Sequence, residues 1–255
     1  NFKFNGQHFQ GFLGDTLASA LLANDQKLVA RSFKYHRPRG IMTAGSEEPN
    51  ALVTIHRSGS QEPNTRATVQ PLYEGLVAQP QNAWPSLKFD ALSVNDLLSP
   101  FLSAGFYYKT FMWPRAFWER VYEPLIRRAA GLGSLANAYD NDLYEKAFTH
   151  CDLLVIGAGP SGLMAALTAA RAGLDVILAD ENDRLGGRLL SEVEEVAGVA
   201  GHVWAEAIFT ELVGLANVQV MTDTIVTGAY DQGTYGALER VGHHLGVVPA
   251  GLPLE

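Results

Sequence analysis

The sequence predicts two kinds of fold in tandem, an α+β unit followed by an α/β unit built on parallel strands. Three observations carry that expectation. Short strand-like stretches surround one alanine- and leucine-rich helix in residues 1–85; residues 86–150 crowd aromatics and prolines together; and a strand, glycine turn, helix and second strand follow one another within residues 151–255. With 255 residues and 47% hydrophobic content, the chain is long enough for two domains with cores of their own.

In the first unit, Phe2 to Phe12 alternates aromatic and polar residues around Asn5-Gly6, the pattern of two short strands and a tight turn. Asp15 or Thr16 then caps a helix that begins at Leu17. Further strands are expected at Ala51–Ile55 and Thr65–Gln70. Between residues 80 and 150, Trp84, Phe106, Phe111, Trp113, Phe117 and Trp118 are too many aromatics for a solvated linker. The expectation is a packed connector with short helices, lying against a domain or another subunit. An aromatic substrate cage is the rarer use of such a stretch.

Composition removes several function classes. The net charge of -8 provides no positive field for a phosphate backbone or an acidic membrane surface, so nucleic acid is not expected as a partner. Cys151 is the only cysteine, which leaves no intrachain disulfide, no four-cysteine cluster and no cysteine-rich zinc site. No metal site is expected, and redox chemistry here needs an organic cofactor. No signal-peptide pattern opens the chain and no apolar run reaches the roughly 18 residues of a membrane span, so the expected compartment is the cytoplasm.

The chemistry-bearing motif starts at Cys151. Asp152–Ile156 reads as a buried strand, Gly157-Ala158-Gly159-Pro160-Ser161-Gly162 as a glycine turn, Leu163–Ala172 as a helix stopped by Gly173, and Val176–Ala179 as a second strand ending at Asp180 and Glu181. This is a Rossmann-type βαβ unit. Gly157 permits the turn, Gly159 lets backbone approach a pyrophosphate, and Gly162 lets helix and strand pack closely. The helix N-terminus offers unpaired N–H groups to phosphates. Asp180, placed to accept from an adenosine ribose hydroxyl, would with Glu181 repel a 2′-phosphate, which disfavours NADP and leaves NAD and FAD.

A second glycine pair follows in Leu185-Gly186-Gly187-Arg188. The arrangement resembles the flavoprotein superfamily of glutathione and lipoamide reductases, and implies that Gly187 passes close to the pyrophosphate while Arg188 either adds charge there or sits solvated. A helix is expected over Val203–Ala216 and a third parallel strand over Val218–Met221; on the strand after it, Val226 and Thr227 are implied as adenine contacts by the same resemblance. With Pro160, Ser161 and Asn182 these residues complete the expected cofactor-binding set. The dinucleotide domain is expected to be incomplete at residue 255, because no later strands appear.

Longer stretches are more specific. Gly14–Ala18 and Arg31–Gly40 resemble the ferredoxin-like, β-grasp domain that opens alpha subunits of bacterial heterotetrameric sarcosine oxidases, and also subunits of opine dehydrogenases and hydrogen cyanide synthase. Cluster-bearing relatives follow this with a cysteine-rich loop. Here Ile41–Val53 holds no thiol, and Glu47-Glu48-Pro49-Asn50-Ala51 is similar to the sarcosine oxidase version. Residues 62–68, 93–102 and 105–114 look like that alpha subunit specifically.

The resemblance implies an enzyme of alpha, beta, gamma and delta subunits that converts sarcosine to glycine with hydrogen peroxide and 5,10-methylenetetrahydrofolate formation. It implies NAD in alpha, with FAD and FMN elsewhere in the complex, and with sarcosine and tetrahydrofolate bound outside this stretch. No residue here is expected to be catalytic. An opine dehydrogenase-like subunit, or an assembly module with a purely structural nucleotide site, are the alternatives. Arg31, Lys34, His36, Arg37 and Arg39 fall within nine residues, which suits a local anion site or, more commonly, a solvated loop or subunit contact. Cys151 is expected to be a small buried hydrophobe.

Overall fold

The structure, a computed structural model, describes residues 1–57, 60–131, 133, 137 and 139–255. Expectations for the connector at residues 132, 134–136 and 138 therefore lie outside the described residues. Two units divide the chain: residues 1–141 with 243–249, and residues 142–242 with 250–255.

In the first unit, strands β1 (Phe2–Phe4) and β2 (Gln7–Phe9) form the expected hairpin, with Asn5 and Gly6 at positive φ. Helix α1 (Leu17–Ala23) begins where the sequence places it. Thr16 rather than Asp15 is the cap: its hydroxyl accepts from Ser19 N at 3.2 Å, and Ser19 Oγ accepts from Thr16 N at 3.0 Å. A short ladder joins β3 (Ala30–Arg31) to β4 (Pro38–Arg39). Strands β5 (Leu52–Arg57), β6 (Ser60–Arg66) and β7 (Val77–Pro80) complete a five-stranded sheet in the order β2-β1-β7-β5-β6. Only β1 and β7 run parallel. One face of the sheet, carrying Phe2, Phe4, Val53 and Ile55, packs with Leu17 and Leu21 of α1, all buried. This mixed sheet with one helix on its core face is the α+β arrangement the sequence predicts.

Two expectations shift. The strand expected at Thr65–Gln70 lies earlier, as β6, and the chain turns at Ala67 so that its N–H donates to Ala51 O. Strand β7 was not foreseen. It ends on Pro80, opposite Val53 of β5 and beyond the residues paired with β1, and it lies mid-sheet between β1 and β5.

Several residues of the basic run are bound within the first unit, while Arg37 and Arg39 remain exposed. Arg31 donates to Leu87 O through Nε and Nη2 at 3.0 and 2.8 Å, to Lys88 O, and to His36 O. The His36 ring is fully buried, with Nδ1 2.6 Å from Asp90 Oδ2 and Nε2 3.3 Å from Ala129 O. Arg37 pairs with Asp96, and Tyr35 Oη donates to Leu102 O. Its partners lie about 50 to 90 residues downstream, beyond the reach of any local pattern. The run thus fastens the connector, which contains helices α2 (Phe106–Lys109) and α3 (Glu123–Ala130), to the first unit. Phe106, Phe111, Phe117 and Tyr122 contact one another, while Trp84, Phe89, Phe101 and Trp113 remain exposed.

In the second unit, β8 (Leu153–Ile156), α4 (Pro160–Arg171) and β9 (Val176–Ala179) form the expected βαβ unit. Strands β10 (Glu195–Val196) and β11 (Val199–Ala200) make a short hairpin before α5 (Gly201–Val213). Strand β12 (Val218–Met221) then adds in parallel to β9, giving the order β12-β9-β8, and β13 (Thr224–Tyr230) pairs with β14 (Thr234–Glu239). Leu163 and Leu167 of α4, Leu178 of β9 and Leu212 of α5 form the core. Cys151, just before β8, is exposed rather than buried, because the strand's pairing begins only at Leu153. No helix among the described residues is long and apolar enough to cross a membrane.

Candidate dinucleotide site

The site lies at the carboxyl ends of β8 and β9, where doubly wound sheets place their ligands. Gly157 N donates to Ala179 O at 2.8 Å, so the turn leaves β8 while still bound to β9. Its φ of +92° is a conformation that favours glycine. A Cβ on Gly162 would stand 1.9 Å from Gly157 O and 3.5 Å from Val155, which fixes glycine there for packing. A Cβ on Gly159 would meet nothing of the protein within 4 Å. Gly159 is the N-cap of α4, Pro160 sits at its first position, and the N–H groups of Ser161 and Gly162 belong to the first turn, where no intrahelical acceptor exists.

The two glycine motifs come together. Gly186 N donates to Ala158 O at 2.8 Å, and a Cβ on Gly187 would stand 3.1 Å from Gly159 Cα. Arg188 follows, exposed over 89% of its side chain and paired with Glu192 at 2.6 Å. Its charge stands in solvent beside an acid.

Asp180 is 7% exposed and ties three segments to the end of β9. Oδ2 accepts from Ala158 N at 2.6 Å, while Oδ1 accepts from Asn182 N and Nδ2, both at 2.9 Å. A carboxylate offers about four acceptor directions, so these three bonds leave one for a ribose hydroxyl. Thr224 N donates to Asp180 O at 2.8 Å, Asp223 N donates to Asn182 O, and Arg240 donates to Glu181 O. Thr224 and Arg240 were not singled out by the sequence. The turn at Asp223, with φ of +49°, was the available signal for the first; Arg240, 59 residues beyond Glu181, offered none. Val226 and Thr227 stand farther along β13, where Val226 pairs with Ala237 and Thr227 Oγ1 donates to Gly236 O. Hydrogen bonds thus gather Gly157, Asp180, Asn182 and Gly186 around Ala158, and none of them reaches Val226 or Thr227.

A parallel sheet with a glycine turn leading into a helix, an acid closing the second strand and a second glycine pair against the first defines a Rossmann-type domain of the flavoprotein class. Residues 152–213 match the family "FAD dependent oxidoreductase", and residues 1–83 match "2Fe-2S iron-sulfur cluster binding domain". Over the whole chain the relationship is closer: the sarcosine oxidase alpha subunit of Rhizobium meliloti (strain 1021) is 60% identical over 255 residues, 100% of this chain and 26% of that protein. That of Corynebacterium sp. (strain P-1) is 33% identical over 245 residues, 94% of this chain and 20% of that protein. The chain is a homologue of the sarcosine oxidase alpha subunits and spans about a quarter of their length or less. The crystal structure of L-proline dehydrogenase from P. horikoshii shares the fold, with a TM-score of 0.56 at 19% identity, covering 93% of this chain and 36% of that one.

The cofactors implied by the two families fare differently. An iron-sulfur cluster needs thiolates, and residues 1–83 contain no cysteine, so the donor set does not fit. A dinucleotide fits: Gly159 presents open backbone, the first turn of α4 presents N–H groups, and Asp180 keeps an acceptor direction.

Proposed function

We propose that the chain is the NAD-holding part of a sarcosine oxidase alpha subunit, in an assembly with beta, gamma and delta subunits that converts sarcosine to glycine, hydrogen peroxide and 5,10-methylenetetrahydrofolate. The open backbone at Gly159, beside the first turn of α4, is the observation that carries the dinucleotide site. Its 60% identity to an alpha subunit supports the assembly, and the resemblance to that subunit supports NAD. When bound, a nicotinamide supplies a hydride acceptor. The residues of this chain have binding roles: Ser161 and Gly162 offer N–H groups to the pyrophosphate, Gly187 leaves room beside Gly159, and Asp180 accepts from the adenosine ribose. Glu181 and Asn182 flank that acid, with Arg188, Val226 and Thr227 as outlying contacts. Catalysis is assigned to none of them.

The match of residues 152–213 to FAD-dependent oxidoreductases favours a second reading, FAD in the same loop. Both readings share the preference for a free 2′-hydroxyl, since a 2′-phosphate would meet the Asp180 carboxylate as a like charge. Titrating the nucleotide-stripped complex with NAD and NADP tests it. The wild-type protein should bind NAD and reject NADP, and Asp180→Asn, which removes the charge and the acceptor facing either Ala158 or Asn182, should narrow the gap by about tenfold or more. An unchanged NAD-to-NADP ratio in Asp180→Asn contradicts a ribose contact.

A further inference from the structure

Residues 1–83 match a cluster-binding family without a thiol to bind one. The loop of residues 40–51, between β4 and β5, must therefore find another acceptor for its inward N–H groups, because buried N–H groups left unpaired cost free energy. Glu48 supplies it. The residue is 1% exposed. Oε2 accepts from Met42 N at 2.8 Å, Thr43 N at 2.7 Å and Thr43 Oγ1 at 3.2 Å, while Oε1 accepts from Asn50 N at 2.8 Å and Ala51 N at 3.2 Å. Donors from both ends of the loop thus converge on one carboxylate. Its main chain is fixed as well: Glu48 N donates to Gly45 O, which also accepts from Thr68 Oγ1, and Arg66 Nε donates to Glu48 O.

We infer that Glu48 is the internal anion around which this loop closes in place of a metal cluster, so that the conformation of the loop depends on a carboxylate rather than on iron. Gathering donors from Met42 to Ala51, it holds the loop's last residue at the foot of β5, where Ala51 is fully buried in the first unit's core. Burial pushes the Glu48 carboxyl up, and the backbone bonds from Thr43, Met42, Asn50 and Ala51 together outweigh it, leaving the group below the usual glutamate range. The other charged groups against the loop are Arg66, bound to the Glu48 carbonyl, and Glu47, whose carboxylate lies over Gly45. Because the folded value is depressed, this stabilisation is present above the ordinary glutamate pKa of about 4.3 and is lost as pH falls below it.

Amide hydrogen exchange on the full chain tests the inference at the four donors themselves. In Glu48→Gln one pair of amides, Met42 and Thr43 or Asn50 and Ala51, should exchange about tenfold faster or more, since the new side chain accepts at one position only, while those of α4 keep their protection. In the wild-type chain the same four amides should lose protection on acidification below the ordinary glutamate range, after correction for intrinsic exchange, and a chelator should leave them unchanged. Unaltered exchange in Glu48→Gln, or protection that requires iron, overturns it. If that variant does not fold, the wild-type titration decides: protection that persists well below the depressed range, or that a chelator removes, refutes the role of the carboxylate.

Discussion

Gly159 and Gly162, three residues apart in one motif, have opposite requirements. Gly162 faces the protein, where an added Cβ would lie 1.9 Å from the Gly157 carbonyl; Gly159 faces open space. Gly162→Ala should therefore lower stability by about 1 to 3 kcal/mol, the usual penalty of overpacking. Compared free of nucleotide, Gly159→Leu should melt like the stripped wild type and fail to take nucleotide back. Thermal melts alongside nucleotide content separate the two, and a strongly destabilised Gly159→Leu protein would show that this glycine serves packing. Tyr73 provides a pH test at the same scale. Burial pushes its hydroxyl above the ordinary tyrosine value, Arg57 acts to lower it and Glu62 to raise it. The neutral ring is thus favoured by the fold, so its contribution is present below the ordinary value of about 10 and is lost as pH rises past it. Melting temperatures measured from neutral to alkaline pH should fall more steeply for the wild type than for Tyr73→Phe, and parallel curves contradict the assignment.

Among the elements, what was legible in the sequence is what short-range chemistry determines. The segment from β8 to Asp180 carries its own turn glycines, its helix start and its terminal acid within 28 consecutive residues, and its strands were readable to within a residue and its helix start to within three. The clasp made by the basic run was not. Arg31 and His36 look like a charged surface in sequence, yet their acceptors are carbonyls and a carboxylate in the connector. Strand β7 escaped because it is four residues long and ends in proline, and only its neighbours β1 and β5 make it a strand. The candidate site shows the same division: the glycine turn and Asp180 stand out in the sequence, whereas Thr224 reaches Asp180 through its main-chain N–H and Arg240 reaches Glu181 through its guanidinium after the chain has returned. One prediction belongs to this scale. His36→Ala leaves the buried Asp90 carboxylate without its partner on Oδ2 and should destabilise the first unit by about 2 to 4 kcal/mol. Chemical denaturation followed by tryptophan fluorescence should register it, and a loss below about 0.5 kcal/mol would mean the clasp is dispensable.

For the molecule as a whole, two domain types with opposite relations to their families stand in one chain. The first unit keeps the scaffold of a cluster-binding family without cysteine ligands, and the second keeps the glycine turn, helix start and terminal acid of a Rossmann-type motif. NAD binding by the second unit is the proposed function on which the rest depends. Denaturing the assembled wild-type complex and its Gly159→Leu counterpart, then identifying the released nucleotides, tests it most directly. The wild type should release stoichiometric NAD, and the variant should lose NAD alone, with any flavin retained. NAD released equally by both proteins, or a variant that loses FAD instead, would contradict it.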